Sequence, residues 1–392
     1  MSRSTRFFAT LIFVLMTAVP AAADQSASAG AVYAMTNDQN GNEILVFDRA
    51  ADGSLTLTDT VATGGSGATS EVNDALGSQN PLILSPDNRW LLAVNAGSDE
   101  ISVLRVLTGG LALTAVVPSG GAFPVSLTMH GHLLYVLNAG NDGNITGFYL
   151  GPNGHPVRLP GSTRDLDAGG TDPPFFLESP AQVGFSPLGD KLVVAVKGIH
   201  PVHQIHVYNV NVLGYPSRKP VTNTSVTTLP FGFVFTGFNR MLVAEPFGDS
   251  LGPGVPPPVP NAGAVSSYRI RPDRSLAAIS TSVLNAQTAT CWIVVTGDRR
   301  FAYTTNNLSN TISSYSVGNA GNLVLIAAVA AATGDAPVDL AITPDDQYLY
   351  NVNTADGEVG MYRIDGSTGS LTFLGAVGGL PADGTAVGIS AR

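Results

Sequence analysis

Pro337-Val338-Asp339-Leu340-Ala341-Ile342-Thr343-Pro344-Asp345 is followed directly by Asp346-Gln347-Tyr348-Leu349-Tyr350-Asn351-Val352-Asn353. Polar or small residues alternate with large apolar ones up to Ile342, which is the period of a half-buried strand. Thr-Pro-Asp then makes a tight turn, and a second apolar run ends in Asn. Further along, Val359-Gly360-Met361-Tyr362 reads as a third strand, and Gly369-Ser370-Leu371 opens a fourth. One unit is therefore four short strands joined by turns.

The same unit recurs through the chain. Leu84-Ser85-Pro86-Asp87 and Phe185-Ser186-Pro187 are clear copies of the turn. Leu127-Thr128, Phe235-Thr236-Gly237 and Val295-Thr296-Gly297-Asp298 are degenerate ones. The seventh copy is split between Val387-Gly388-Ile389-Ser390 at the end and Val32-Tyr33-Ala34-Met35 near the start. Successive anchors Ser85, Thr128, Ser186, Thr236, Thr296, Thr343 and Ser390 lie roughly 43 to 60 residues apart, the spacing of propeller blades. Helical periodicity is nearly absent. An all-β, seven-bladed propeller with four-stranded blades follows, its first blade closed by the C-terminal strand so that no edge stays open.

Composition agrees with a large core. The 392 residues are 44% hydrophobic and only 12% charged, which excludes a disordered polymer. A net charge of −10 opposes any broad electrostatic hold on nucleic acid or an anionic membrane. The single Cys291 makes neither an internal disulfide nor a multi-cysteine metal site. Arg3 and Arg6 precede an apolar run over residues 7–19, and Ala21-Ala22-Ala23 supplies small residues for cleavage. Residues 1–23 are thus expected to be a signal peptide, 24–30 a linker and 31–392 one propeller domain. That makes the protein secreted or periplasmic, without a membrane segment after cleavage, and a monomer.

Ser179-Pro180-Ala181-Gln182-Val183-Gly184-Phe185-Ser186-Pro187, Tyr303-Thr304-Thr305-Asn306 and the run from Ala336 to Pro344 together resemble the lactonase family of seven-bladed propellers. That family includes 6-phosphogluconolactonase-like and carboxymuconate-lactonizing proteins. The resemblance spans nearly all of the chain after residue 23 and implies an enzyme that opens, or in reverse closes, a lactone ring. Export would remove the protein from a cytosolic phosphorylated substrate, so the expected substrate is an unphosphorylated sugar lactone or organic acid lactone. The cyclizing relatives imply His, Arg and Glu at the site, of which only the Glu is placed here, at Glu245. The alternative is a noncatalytic propeller that presents its loops to an extracellular ligand, because fold does not name function.

Three long loops fall on one face: residues 64–80, 161–178 and 247–262, the last with Pro253, Pro256, Pro257, Pro258 and Pro260. The opposite face has only tight turns, so the site is expected at the channel mouth on the loop face. Aligned ends of the second strands are Thr36, Asn95, Asn138, Lys197, Glu245, Asn306 and Asn353. Asn suits such a turn structurally, and Asn95, Asn138, Asn306 and Asn353 also offer polar contacts to a substrate. Lys197 and Glu245 break the pattern in neighbouring blades, where function is expected. The ammonium would hold a substrate oxygen while Glu245 directs water or moves a proton; the competing reading is a structural ion pair.

The first strands place Gln182, Gly232, Trp292 and Asp339 at equivalent positions. Asp339 is a candidate base or orienter, or else a hydrogen-bond partner of neighbouring strand ends. Gln182 and Trp292 are candidate substrate contacts, and Cys291, out of phase with Trp292, reads as core. His200 lies near Lys197 and is a further candidate contact. His203 and His206, three apart on a strand, point to opposite faces. Asp74, Asp165, Asp167, Asp172 and Glu178 match no ordered calcium loop and read as a solvated rim. No cofactor is expected, a divalent metal such as calcium being kept open.

Overall fold

The computed structural model describes Met1 and residues 29–69, 73–198, 203–247 and 259–392. The expected signal peptide beyond Met1, most of the expected linker, His200 and the prolines Pro253, Pro256, Pro257 and Pro258 lie outside the described residues.

Seven antiparallel sheets stand in a ring. The first strands are β4 (Leu82–Leu84), β8 (Pro124–His130), β13 (Pro180–Phe185), β17 (Phe233–Gly237), β21 (Thr290–Val295), β25 (Pro337–Ile342) and β29 (Val387–Ala391). Each packs against the first strand of the next blade, and β29 on β4 completes the circle. Six sheets have four strands; the third carries a short extra strand, β12 (Arg164–Asp165), on β10 (Asn144–Leu150). Among the described residues no α-helix occurs.

Closure takes the expected form. β29 pairs with β1 (Gly30–Met35) in the register Val32 to Ala391, Tyr33 to Ser390 and Ala34 to Ile389. The C-terminal strand is thus the inner strand of blade one, and its sheet continues through β2 (Glu43–Arg49) and β3 (Leu55–Ala62).

The repeated turn residues have a common mechanism. Thr343 Oγ1 donates to Asp345 Oδ1 at 2.5 Å and accepts the N–H of Tyr348 at 3.1 Å. Thr296 does the same with Asp298 (2.7 Å) and Phe301 (3.1 Å), and Ser85 with Asp87 (2.7 Å) and Trp90 (3.0 Å). A hydroxyl and a carboxylate thus satisfy the backbone that a two-strand turn would leave open. Blade three departs from this: Thr128 lies inside β8, the turn falls at Gly131-His132, and Thr128 Oγ1 accepts the N–H of Phe185 in the next blade at 3.0 Å. A second recurrent bond staples blades together. Tyr135, Tyr303 and Tyr350 donate their phenols to the carbonyls of Gly214, Gly369 and Gly53, at 2.8, 3.0 and 2.9 Å. Second strands such as β5 (Trp90–Asn95), β22 (Phe301–Asn306) and β26 (Tyr348–Asn353) are buried throughout, whereas β28 (Leu371–Gly378) is largely half-exposed or exposed.

Candidate active site

The loop between β3 and β4 does not stay on the surface. Its last part, from Asp74 to Asn80, enters the channel and bonds to inner strands on several sides. Ser78 Oγ donates to Val125 O (2.7 Å), Gln79 N to Ala181 O (3.1 Å), and Asp74 N to Gly384 O (3.1 Å). Ser78 O accepts the indole N–H of Trp292 at 2.8 Å. The amide of Gln79 acts as a piece of strand: Nε2 donates to Ile293 O (2.9 Å) and Oε1 accepts Ile293 N (3.0 Å). Gly232 has no side chain for a physical reason, since a Cβ there would collide with Gln79 Oε1. Gln182 makes the same two-point clamp on Phe233, donating to its carbonyl at 3.0 Å and accepting its N–H. Its amide is thereby occupied by blade five.

Above this crossing lies a cavity of about 550 Å³. All three long loops reach it, through Asn73 and Asp74, through Phe176 and Leu177, and through Phe247. Leu229, Phe231, Pro246, Ala289, Cys291, Trp292, Asn307 and Leu308 complete the wall with Lys197. The loop-face location expected from the sequence is therefore where a cavity is found, and of the candidate residues Lys197 and Trp292 line it.

Gly77 organises the charged end. Its N–H donates to Asp74 Oδ1 at 2.9 Å, and its carbonyl accepts a hydrogen bond from Lys197 Nζ. Gly77 has φ +57°, and a Cβ there would lie 2.7 Å from Lys197 Nζ; only glycine suits both demands. The ammonium also sits over the Phe231 ring, 4.7 Å from its centre, and Phe231 packs edge-on against Trp292 at 5.1 Å. Burial pushes the Asp74 carboxyl up to about 7, opposed by the Lys197 charge. Burial likewise pulls Lys197 down to about 8, opposed first by Asp74 and then by Cys291. A carboxyl and an amine both displaced toward neutrality by burial in one cavity mark it as a candidate site.

Cys291 reaches this wall because of a bulge. Thr290 faces Asn306 and Trp292 faces Thr305, which leaves Cys291 as the extra residue. Strict alternation therefore fails here, and Cys291 and Trp292 both border the cavity. Burial, with Asp74 adding, pushes the thiol upward, away from thiolate chemistry.

The remaining candidates are placed elsewhere. Glu245, at the end of β18 (Arg240–Glu245), is buried and accepts from Ser266 Oγ at 2.8 Å and Tyr268 Oη at 3.4 Å. Asp339 accepts the N–H of Gly388 from the closing strand at 2.9 Å, and burial pushes it up to about 7. Asn306 is bound by four side chains, Asn285, Thr290, Thr311 and Ser313. Asn95 bonds Asn42, Thr63 and Ser102; Asn138 donates to Asn144; Asn353 bonds Asn351 and Glu358. None of these six lines the cavity. His206 shares a 2.9 Å hydrogen bond with Gln204 and borders a separate polar groove. Asp74, read from the sequence as rim, is the carboxylate that the cavity contains. Among the described residues no group of three His, Cys, Asp or Glu is placed to hold a metal ion.

The model of the family described as lactonase, 7-bladed β-propeller matches residues 27–165 and 262–383, more than half of the chain. A protein of Bacteroides fragilis proposed to be a 6-phosphogluconolactonase superposes with a TM-score of 0.69 at 19% identity, over 94% of this chain and all of that one. A periplasmic gluconolactonase of Pseudomonas aeruginosa gives 0.68 at 16% identity, over 92% of this chain and 98% of that one. At such identities the likeness is one of fold. No curated protein matches the chain.

Proposed function

Because the chain belongs to the lactonase family of seven-bladed β-propellers, we propose that it is a lactone hydrolase whose reacting centre is the Asp74–Lys197 end of the cavity. The observation that carries this reading is the pair of opposite charges, both bonded to Gly77, in an otherwise apolar chamber at the channel mouth. Asp74, with its carboxyl near 7, takes a proton from water as the water oxygen bonds to the lactone carbonyl carbon. The Lys197 ammonium faces the oxyanion that forms, in a low-dielectric setting where its charge acts strongly. Collapse breaks the ring C–O bond, and the proton held by Asp74 passes to the departing ring oxygen. The product is a hydroxy acid, and Asp74 is returned as carboxylate.

The substrate in this reading is unphosphorylated. Among the described lining residues Lys197 is the one basic side chain, and it stands against a carboxylate, which is poor provision for a phosphate dianion. Export, argued from Arg3, Arg6 and the apolar run before Ala23, is part of the proposal.

Asp74→Asn and Lys197→Met test the assignment on a panel of lactones. Each should lower kcat/KM by at least about 100-fold while the melting temperature holds. Glu245→Gln should leave turnover of the folded protein within a few-fold. Full activity in Asp74→Asn, or its loss in Glu245→Gln alone, would move the site to blade five.

A further inference from the structure

Among the described lining residues few side chains are polar, and four of them, Asp74, Lys197, Trp292 and Asn307, already bond within the protein. The Trp292 indole N–H is taken by Ser78 O, and Asn307 Nδ2 donates to Pro337 O at 3.3 Å. Lys197 and Asp74 are both tied to Gly77 at one end. Away from that end the wall is Phe176, Leu177, Leu229, Phe231, Phe247 and Leu308. A polyhydroxylated ring buried there would leave most of its hydroxyls without partners, and each unpaired group is costly. An apolar chain or aryl ring meets no such cost.

All of those residues except Leu308 fall between residues 166 and 261, the span that the family model leaves unmatched. Asp74 and Gly77 of the charged end come from the matched span, whereas Lys197 comes from the unmatched one together with most of the apolar wall.

We infer that the substrate is a lactone bearing an apolar alkyl or aryl substituent, its ring carbonyl at Lys197 and its substituent against the Phe176–Phe231–Leu308 wall. The inference rests on the lactonase reading above for the ring and on the cavity alone for the substituent. A volume of about 550 Å³ leaves room for ring and substituent together.

Two homologous series separate these supports. In the first, kcat/KM is measured for lactones that differ only in alkyl length, with gluconolactone alongside. Each methylene placed against the wall should raise kcat/KM roughly fourfold until the cavity is full, and gluconolactone should trail the best substrate by at least about 100-fold. In the second, calorimetric affinity is measured for the matching alkyl lactams, which resist hydrolysis, and it should follow the same slope. Leu308→Glu, at an exposed rim position, should flatten both slopes without shifting the melting temperature. Lactam binding that climbs with length while no lactone is opened would uphold the apolar pocket and overturn the hydrolase reading. Lactone opening with a flat slope, or with gluconolactone preferred, would uphold the hydrolase reading and overturn the apolar substrate. Neither opening nor lactam binding would overturn both.

Discussion

Blades four and six put the same turn to opposite uses. At the end of its second strand blade six has Asn306, whose amide is spent on Asn285, Thr290, Thr311 and Ser313. At the equivalent point blade four has Lys197, which reaches out of its own blade to the carbonyl of Gly77. One turn is closed by its own sheet; the other is completed by a loop that arrives from between blades one and two. Glu245 in blade five also breaks the Asn pattern, and it accepts hydrogen bonds from Ser266 and Tyr268 of its own sheet. A position becomes part of a site when something outside the repeat reaches it.

If that contrast is right, buried charge in the channel is a cost that the wired turns do not carry, and pH exposes it. Asp339 and Asp74 are both pushed from the ordinary aspartate range to about 7. A carboxyl raised on folding holds its proton more tightly in the native state, so its contribution is complete below about 4 and is lost as pH rises to about 7. Lys197, lowered to about 8, acts in a separate window: its cost appears as pH falls from about 10.5 to 8. Stability should therefore drop between pH 5 and 7.5. Asp339→Asn, which keeps an acceptor for the Gly388 N–H, should remove part of that drop, on the order of 4 kcal/mol at most. Chemical denaturation at the two pH values measures it. A variant with the full wild-type drop would mean that Asp339 ionises without cost.

The wired turn makes the opposite prediction. Asn306→Ala would remove one hydrogen bond from each of four buried partners, and a loss of about 3 kcal/mol is expected, with the turnover of folded protein unchanged. Lys197→Asn, which restores the repeat, should preserve stability and abolish turnover. Equal loss of activity in both variants would erase the distinction between the two blades.

Much of this was legible because repeats are local. The Thr-Pro-Asp turn, the Gly-Ser-Leu turn and the split seventh copy each announce a strand boundary, and together they specify ring and closure. The loop face followed from where chain length accumulates. Lys197 stood out because it interrupts a repeat, and Trp292 because it falls at an aligned first-strand position; both are signals within the sequence. Asp74 gave no such signal. It lies outside the aligned strands and turns, and its burial depends on Ser78 and Gln79 bonding to strands far away in sequence. Cys291 is buried in the core as the sequence suggested, and the bulge at Thr290–Trp292, which cancels the two-residue period there, also brings it to the cavity.

Gly77 is also where the comparison between blades can be sharpened with the smallest change. Gly77→Ala adds one methyl group, at a residue with φ +57° and at a point 2.7 Å from Lys197 Nζ. Left-handed geometry costs alanine about 1 kcal/mol, which the fold should absorb. The ammonium cannot keep its place, however, and must swing from the Gly77 carbonyl and the Phe231 face. Because a small misplacement of a charge facing the oxyanion weakens it steeply, kcat should fall about tenfold while KM for an apolar lactone stays near its original value. The pH profile of kcat should change as well, since the separation of Asp74 and Lys197 sets where each titrates. Gly232→Ala supplies the comparison: it strikes Gln79 Oε1 in the channel, beside Phe231 and Cys291 but not at the Gly77–Lys197 contact, and should lower the melting temperature with less effect on kcat. If the two alanine variants behave alike, the channel segment is only a plug, and Gly77 does not orient the reacting groups.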